Sequence, residues 1–360
     1  MLSIIYPYRN RDVERLRRSF ESLQRQTNRN FQVFFVDYGS RIELAGQVED
    51  LCKNYSFNYR YCYTEKQPWN KSKAINNVVQ DLESEFCFVA DVDMIFHPEF
   101  IEEAGHLQKK DHTVYFQVGF LGSNESFDNK EFRHFKNYRK STPEATGLTM
   151  FPVSILKELH GFDEFYHFWG SEDSDMHVRI RNAGYKVDFY DHKVLMLHQW
   201  HSSYRSKVSD KLTPEFQLKD IVRLNNQHYN HARESQVKKV NLENWGNCLK
   251  KGEFQTLENA DFSLLSNRKE VVDHLLYCIL PQINNEIVKY RISDSQPKSL
   301  KITAKQIVGK NISKHYSLKQ VNDLILLHLI TFYRNKPYSY KVGEDLRYIE
   351  FSIDFRKNKC

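Results

Sequence analysis

Short apolar runs alternate with amphipathic stretches through the first ninety residues. Leu2-Ser3-Ile4-Ile5-Tyr6 and Phe31-Gln32-Val33-Phe34-Phe35-Val36 are dense in β-branched and aromatic residues and predict strands. Between them, Val13, Leu16, Phe20 and Leu23 recur at helical spacing inside the charged stretch from Asp12 to Gln26, which completes a βαβ unit. A strand around Tyr59–Tyr63, a helix through Ala74–Leu82 and a strand at Phe86–Ala90 continue the alternation. The pattern predicts an α/β fold, with a mostly parallel sheet covered by helices on both faces and ligands gathered at the strand C-termini. After Asp93 the pattern turns irregular, resuming over Gly147–Val187 and in a strand near Val194–Leu197. Beyond Val237, helices are expected at Val271–Ile279 and Val321–Phe332, with short strands near Tyr348–Phe355. The expected organisation is a large domain over residues 1–236 and a smaller, mainly helical one over 237–360.

Composition narrows the class. With 40% hydrophobic and 27% charged residues in 360, the chain reads as an ordinary globular protein with room for two cores. No run approaches the eighteen or so apolar residues of a membrane helix, and Met1 leads straight into a strand without a signal-peptide core, so a cytoplasmic protein is expected. Cys52, Cys62, Cys87, Cys248, Cys278 and Cys360 form no CxxC pair or ligand-like cluster, which argues against a zinc site and a disulfide framework. Charge is uneven: Val237–Cys360 holds 21 Lys and Arg against 13 Asp and Glu, while residues 1–236 are near neutral. That basic tail suits a solvated surface, peripheral contact with anionic lipid at the inner face of a membrane, or attraction to an anionic acceptor. Nucleic acid is disfavoured, since Tyr333, Arg334, Lys336, Tyr338, Tyr340 and Lys341 interleave aromatics and cations only weakly.

Two motifs carry chemistry. Asp91-Val92-Asp93 ends the apolar strand Phe86–Ala90. Carboxylates at i and i+2 on a strand tip offer hard oxygen ligands for Mn2+ or Mg2+ beside a diphosphate. An acidic surface turn has the same sequence, but a strand end of a parallel sheet is where a ligand site belongs. The second motif is Trp169-Gly170-Ser171-Glu172-Asp173-Ser174-Asp175. Its acids open a helix, where the dipole favours their ionised form, and an ionised carboxylate beside a hydroxyl can act as general base. Capping acids look alike; the preceding Trp169 and Gly170 suit stacking on a sugar ring with close backbone approach.

These motifs belong to a larger set. Tyr6-Pro7-Tyr8-Arg9-Asn10-Arg11, Trp69-Asn70-Lys71-Ser72-Lys73, Asp91-Val92-Asp93, Gly161-Phe162-Asp163 through Asp175, and His198-Gln199-Trp200-His201 follow one another in order. Over roughly residues 1–205 the chain resembles the β-1,4-galactosyltransferases and related galactosyl- and N-acetylgalactosaminyltransferases of the GT-A superfamily. The resemblance implies that Pro7, Tyr8, Arg9 and Arg11, with Asp37, line a nucleotide and diphosphate pocket, Trp69 faces uracil, and Lys71 lies near the phosphates. It implies Asp93, His198 and His201 as ligands of Mn2+ (or Mg2+), Asp91 nearer the ribose and donor sugar, Gly170 at the donor, and Trp169 as the donor-binding ring at the junction of donor and acceptor. It makes Asp173 the catalytic base and Glu172 its neighbour that orients the donor.

The resemblance breaks at places that matter for substrate. Tyr38 stands where many members of the superfamily carry a second aspartate that reads uracil, and Ser174 replaces an acid that helps bind an N-acetylglucosamine acceptor. Lys140-Ser141-Thr142-Pro143-Glu144-Ala145 replaces a tyrosine-rich stretch. The expected activity is inverting, metal-dependent transfer of a sugar, Gal or GalNAc favoured, from a UDP-sugar to a glycan or lipid-linked saccharide in surface polysaccharide synthesis. UDP-GlcNAc, UDP-Glc or UDP-glucuronate as donor stay open, as does a non-catalytic module that binds a nucleotide sugar or glycan.

Overall fold

The computed structural model describes residues 1–128, 130–202, 210–241, 244–295 and 314–356. They group into two compact units. The first comprises Met1–Glu65, Trp69–Tyr204 and Ile221–Cys248; the second comprises Lys66–Pro68, Arg205–Asp220 and Leu249–Cys360.

Strands β1 (Leu2–Tyr8), β2 (Phe31–Asp37), β3 (Asn58–Tyr61), β4 (Phe86–Val89) and β5 (Met94–Phe96) fall in the first hundred residues. They are followed by β6 (His112–Phe116), β7 (Val118–Leu121), β8 (Tyr138–Lys140), β9 (Thr149–Pro152), β10 (Lys186–Tyr190) and β11 (Met196–His198). Seven of them form a sheet in the order β10-β6-β9-β4-β1-β2-β3, parallel except for β9, which runs antiparallel to both neighbours. The other four form a small sheet in the order β5-β11-β7-β8.

The helices are α1 (Val13–Gln24), α2 (Ile42–Asn54), α3 (Lys71–Val79), α4 (Phe100–His106), α5 (Val153–Glu158), α6 (Glu172–Asn182) and α7 (Ile221–Glu234). Both faces of the large sheet are buried. Ile4, Tyr6, Val33, Phe35, Phe86 and Phe88 point to a core shared with Leu16 and Phe20 of α1, Val48 of α2 and Phe100 of α4. Their neighbours Ile5, Val36, Cys87 and Val89 point to the opposite core, with Ile75 of α3, Leu156 of α5 and Met176 of α6. This two-sided burial makes β1 and β4 continuous apolar runs rather than alternating ones, and it is why the sequence reads as a parallel α/β sheet. The stretch after Asp93, irregular in sequence, holds β5 to β8. Each is only three to five residues long, too short for its own periodicity.

In the second unit the helices α8 (Lys251–Asn259), α9 (Lys269–His274) and α10 (Leu318–His328) accompany a four-stranded sheet. Its order is β12 (Ser263–Ser266), β13 (Ile287–Ser293), β15 (Tyr348–Asp354), β14 (Tyr338–Val342), so the region holds more strand than its sequence suggests. Six lysines of its basic surplus, Lys298, Lys301, Lys305, Lys310, Lys357 and Lys359, lie outside the described residues.

Helix α6, which carries the candidate catalytic acids, is anchored by a buried ion pair. Arg179 Nε donates to Asp175 Oδ2 at 2.7 Å, and both side chains are wholly buried. The remaining guanidinium hydrogens reach the carbonyls of Leu159, Gly161 and Lys238, and Tyr166 donates to the other oxygen of Asp175. Deleting one partner strands the other charge in the core, which typically costs about 3–5 kcal/mol. Arg179→Ala should therefore lower the stability of the first unit by about that amount in chemical denaturation. The double variant Asp175→Leu/Arg179→Met, which buries no orphan charge, should recover much of it; equal loss in both would refute the account.

Candidate active site

The C-terminal ends of β1 and β4, the turn before α6 and the segment after β11 converge on one cavity of about 1060 Å3 within the first unit. The residues entering α3 and the β7–β8 pair complete its wall. Pro7, Arg9, Arg11, Trp69, Lys71, Asp91, Asp93, Trp169, Glu172, Asp173, His198 and His201, all singled out in the sequence, face it together.

Three of the expected donor residues do not line the cavity. Tyr8 is fully buried and donates its hydroxyl to the Arg11 carbonyl at 2.7 Å, bracing the loop that presents Arg9 and Arg11. Asp37 is equally buried; it accepts from the Ser40 amide at 2.8 Å and from the Tyr59 hydroxyl at 3.1 Å, and burial pushes its carboxyl above the usual range despite those bonds. Ser40 in turn accepts from the Asn10 amide, and Arg41 donates its amide to Asn10 Oδ1. Tyr8 and Asp37 thus shape the Arg9–Arg11 loop from behind. Gly170 adopts φ 107°, which favours glycine, and its amide donates to Glu172 Oε2 at 3.1 Å.

The turn that aims the acids is strained: Phe168 and Ser171 hold φ of 65° and 72°, uncommon for non-glycine residues. It is over-determined by its surroundings. The Phe168 amide donates to the Trp69 carbonyl, and Asn225 donates to the carbonyls of His167 and Trp169. Asn70, cap of α3, accepts from the Lys73 amide and donates to the Glu164 carbonyl, tying the Trp69–Lys71 segment to the same turn.

Lys71 is the hub. Its Nζ lies 3.0 Å from Asp173, 3.4 Å from Asp91 and 3.6 Å from Glu172, with little of its side chain exposed. Burial opposes its charge, but Asp173, Asp91 and Glu172 outweigh it and hold the ammonium well above the usual lysine range. Asp173 moves the other way from the helix-dipole expectation. Burial pushes its pKa up to about 7, Lys71 pulls it down, and the charges of Glu172 and Asp91 raise it again. It is poised between charge states near neutrality rather than firmly ionised.

Asp93 stands immediately before β5, and the antiparallel pairing of β5 with β11 sets Met94 opposite His198. Asp93 Oδ2 is 3.5 Å from His198 Nε2 and 3.1 Å from His201 Nε2. Burial opposes the charge of Asp93, but the His201 hydrogen bond, with His198 and Arg11, holds it below the usual carboxylate range. Between the two histidines, Gln199 turns away to hold α1, donating to the Arg15 carbonyl and accepting from Arg18, while its amide donates to the Asp93 carbonyl. One ligand atom from each of Asp93, His198 and His201 lies within 4.8 Å of the others. The second oxygen of Asp93 is buried without a hydrogen-bond partner. A buried carboxylate oxygen that lacks a donor, beside two imidazoles, fits a divalent cation.

Residues not singled out from sequence also face the cavity, notably Phe120, Tyr138, Arg139 and Trp200. Trp200 falls within a quoted motif. The others come from short strands whose cross-strand register no local pattern reveals.

Residues 3–160 match the family model "Glycosyl transferase family 2", and residues 129–202 match "N-terminal domain of galactosyltransferase". No curated protein matches the chain. Among solved structures it is similar to S. aureus TarS at 17% identity, covering 55% of this chain and 36% of that one, with a TM-score of 0.42. The complexes of TarS 1–349 with UDP and with UDP-GlcNAc give 16% and 14% identity and TM-scores of 0.43 and 0.44. They cover 55% and 65% of this chain, which spans 60% and 71% of theirs. Such distant likeness carries no argument about substrate. The two family matches run across the strand-end motifs that build the cavity, and residues 3–202 are a GT-A glycosyltransferase domain of the family 2-like type.

Proposed function

We propose that the protein is an inverting glycosyltransferase that moves a hexosyl group, Gal or GalNAc favoured, from a UDP-sugar to a saccharide acceptor, with Asp173 as general base. The observation that carries this reading is the meeting of Asp173, Glu172, Asp91 and Lys71 in one cavity with Asp93, His198 and His201. Arg9 and Arg11 offer planar, permanently charged donors for the diphosphate, and Trp69, set edge-on to Tyr38, offers a ring to the base. Asp173 takes the proton of the acceptor hydroxyl as its oxygen attacks the anomeric carbon from the side opposite the leaving group, so configuration inverts. Glu172 and Asp91 hold donor hydroxyls, and Lys71 moderates the charge of all three carboxylates. A Mn2+ (or Mg2+) ion held by Asp93, His198 and His201 would neutralise charge growing on the departing diphosphate.

No helix among the described residues is long and apolar enough to cross a membrane. The basic surplus of residues 237–360 supports peripheral contact with anionic lipid, which would bring the domain to a lipid-linked acceptor.

The base assignment has a pH signature. A carboxylate must be ionised to accept a proton, so turnover should rise through about pH 7 as Asp173 ionises. Asp173→Asn should bind UDP normally and lose roughly two to four orders of magnitude in turnover. Lys71→Gln removes the charge that lowers the Asp173 pKa, so the acid limb should move to higher pH. An unmoved limb, or an Asp173→Asn enzyme within threefold of the native one, would eliminate this base.

The metal reading is tested by binding rather than turnover. Calorimetric titration of the full chain with Mn2+ should show one site, weakened at least tenfold by His198→Ala or Asp93→Asn; unchanged binding in both variants would dismiss these ligands. For the tail, the full chain should sediment with anionic vesicles at low salt and leave them by about 0.5 M salt, where the Debye length is a few ångströms. Equal sedimentation with neutral vesicles would reject the electrostatic contact.

A further inference from the structure

The cavity has a second wall of which the donor reading uses only His198. In the small sheet, one row crosses four strands through Met94, His198, Phe120 and Arg139, paired β5 to β11, β11 to β7 and β7 to β8. Side chains in such a row share a face. The His198 and Phe120 rings lie 5.2 Å apart, and the Arg139 guanidinium sits 4.8 Å from the Phe120 ring centre. Arg139 is therefore held over an aromatic platform at the end of the row farthest from Asp93, two strand spacings or ~10 Å from His198.

Its charge is uncommitted. Lys71 is engaged by three carboxylates and Arg9 donates to the Glu65 carbonyl, whereas Arg139 pairs with no carboxylate among the described residues. Nearby sequence adds to the field: Lys130–Lys140 contains five Lys and Arg and one acid, and among the described residues ion pairs hold Lys130 and Arg133 of these, with Glu125 and Glu131. Two tryptophans on the same cavity, Trp169 and Trp200, are 44% and 52% exposed, a large apolar area to leave in water unless a ring covers it.

We propose that this wall is an acceptor subsite for an acidic saccharide, in which Arg139 receives the carboxylate or phosphate of a sugar unit stacked on the exposed tryptophans. A guanidinium forks two donors onto either anion, and an aromatic face beneath it restricts its rotamers, so less freedom is lost on binding. The inference rests on the reading of the other wall as the donor site. The charge belongs to the acceptor rather than to a donor uronate, because the row places Arg139 at the end away from Asp93 and the histidines.

The test is saturation-transfer NMR and calorimetry on the full chain with UDP and Mn2+ present. The probes are a hexuronate-containing tetrasaccharide, its carboxyl-reduced neutral counterpart, and a phosphorylated oligosaccharide of the same neutral sugars. The native protein should prefer at least one anionic probe over the neutral one by about 10–100-fold, a preference that weakens as salt rises. Arg139→Gln should abolish the preference, Arg139→Lys should keep part of it, and neither should change UDP affinity. UDP-glucuronate and UDP-Glc, compared on the native protein and Arg139→Gln, separate the two sources of charge. A tenfold loss confined to UDP-glucuronate would move the carboxylate to the donor and overturn the proposal. UDP binding without preference for either anionic probe, or a neutral probe weakened equally by Arg139→Gln, overturns it alone; failure to bind UDP removes the donor reading and this inference with it.

Discussion

The charge on Lys71 is the point on which the site depends. Three segments distant in sequence, the strand end at Asp91, the start of α3 and the start of α6, bring one ammonium and three carboxylates together, with Lys71, Glu172 and Asp173 largely covered and Asp91 nearer the solvent. Without the ammonium, Glu172, Asp173 and Asp91 would repel one another where water screens poorly, and protonation or separation of the chain segments would relieve them. With it, the Asp173 carboxyl is still pushed up to about 7, because the pull of a cation shared three ways does not offset the burial of Asp173 and the charges of its two acidic neighbours. That incomplete compensation is useful to a general base, whose efficiency is greatest when its pKa lies near the working pH.

Such a cluster needs a stiff support, and much of the polar interior serves that purpose. The strained turn from Phe168 to Ser171 is held by Asn225 and by the carbonyl of Trp69. Helix α6 behind it is pinned through Asp175 and Arg179, one turn apart on the face away from the cavity. The acids at its start and the pair in its middle thus divide one short helix into an end that faces the cavity and an anchored body. Gln199 does the same for the histidines, facing α1 while His198 and His201 face Asp93.

What could be read in the sequence follows from where each signal resides. β1, β2 and β4 are legible because burial on two faces demands continuous apolar runs, and the acids at Asp91, Asp93, Glu172 and Asp173 are legible because each lies at a junction between elements. Tyr8 and Asp37 belong to recognisable motifs, yet motif membership does not distinguish a residue on the cavity wall from one that braces it; only the burial of both does. Lys71 was expected at the phosphates, and its carboxylate partners come from segments no local pattern connects. β13 was missed although Val288, Tyr290 and Ile292 alternate with Lys289, Arg291 and Ser293, a strand pattern whose polar side is not solvated but meets the buried Glu350 across the sheet through Lys289 and Arg291. Arg139 and Phe120 are neighbours solely through the register of two strands of three and four residues.

Electrostatic balance also bears on what the cavity can admit. The cavity wall holds four permanent or strongly held cations, Arg9, Arg11, Lys71 and Arg139, against four carboxylates, Asp91, Asp93, Glu172 and Asp173. A nucleoside diphosphate entering such a balanced site would add negative charge that, among the described residues of the wall, falls to Arg9 and Arg11, the latter already acting on Asp93, since Lys71 is shared among three acids and Arg139 stands at the far end of its row. Two neutralising routes are open to these residues: protonation of His201, which Asp93 already favours, or a divalent cation on Asp93, His198 and His201. The cation leaves the orphaned Asp93 oxygen with a partner and the proton does not, because His201 already faces the other oxygen. Among the described residues of the cavity, the unsatisfied carboxylate oxygen is the feature that fits a divalent cation at this place.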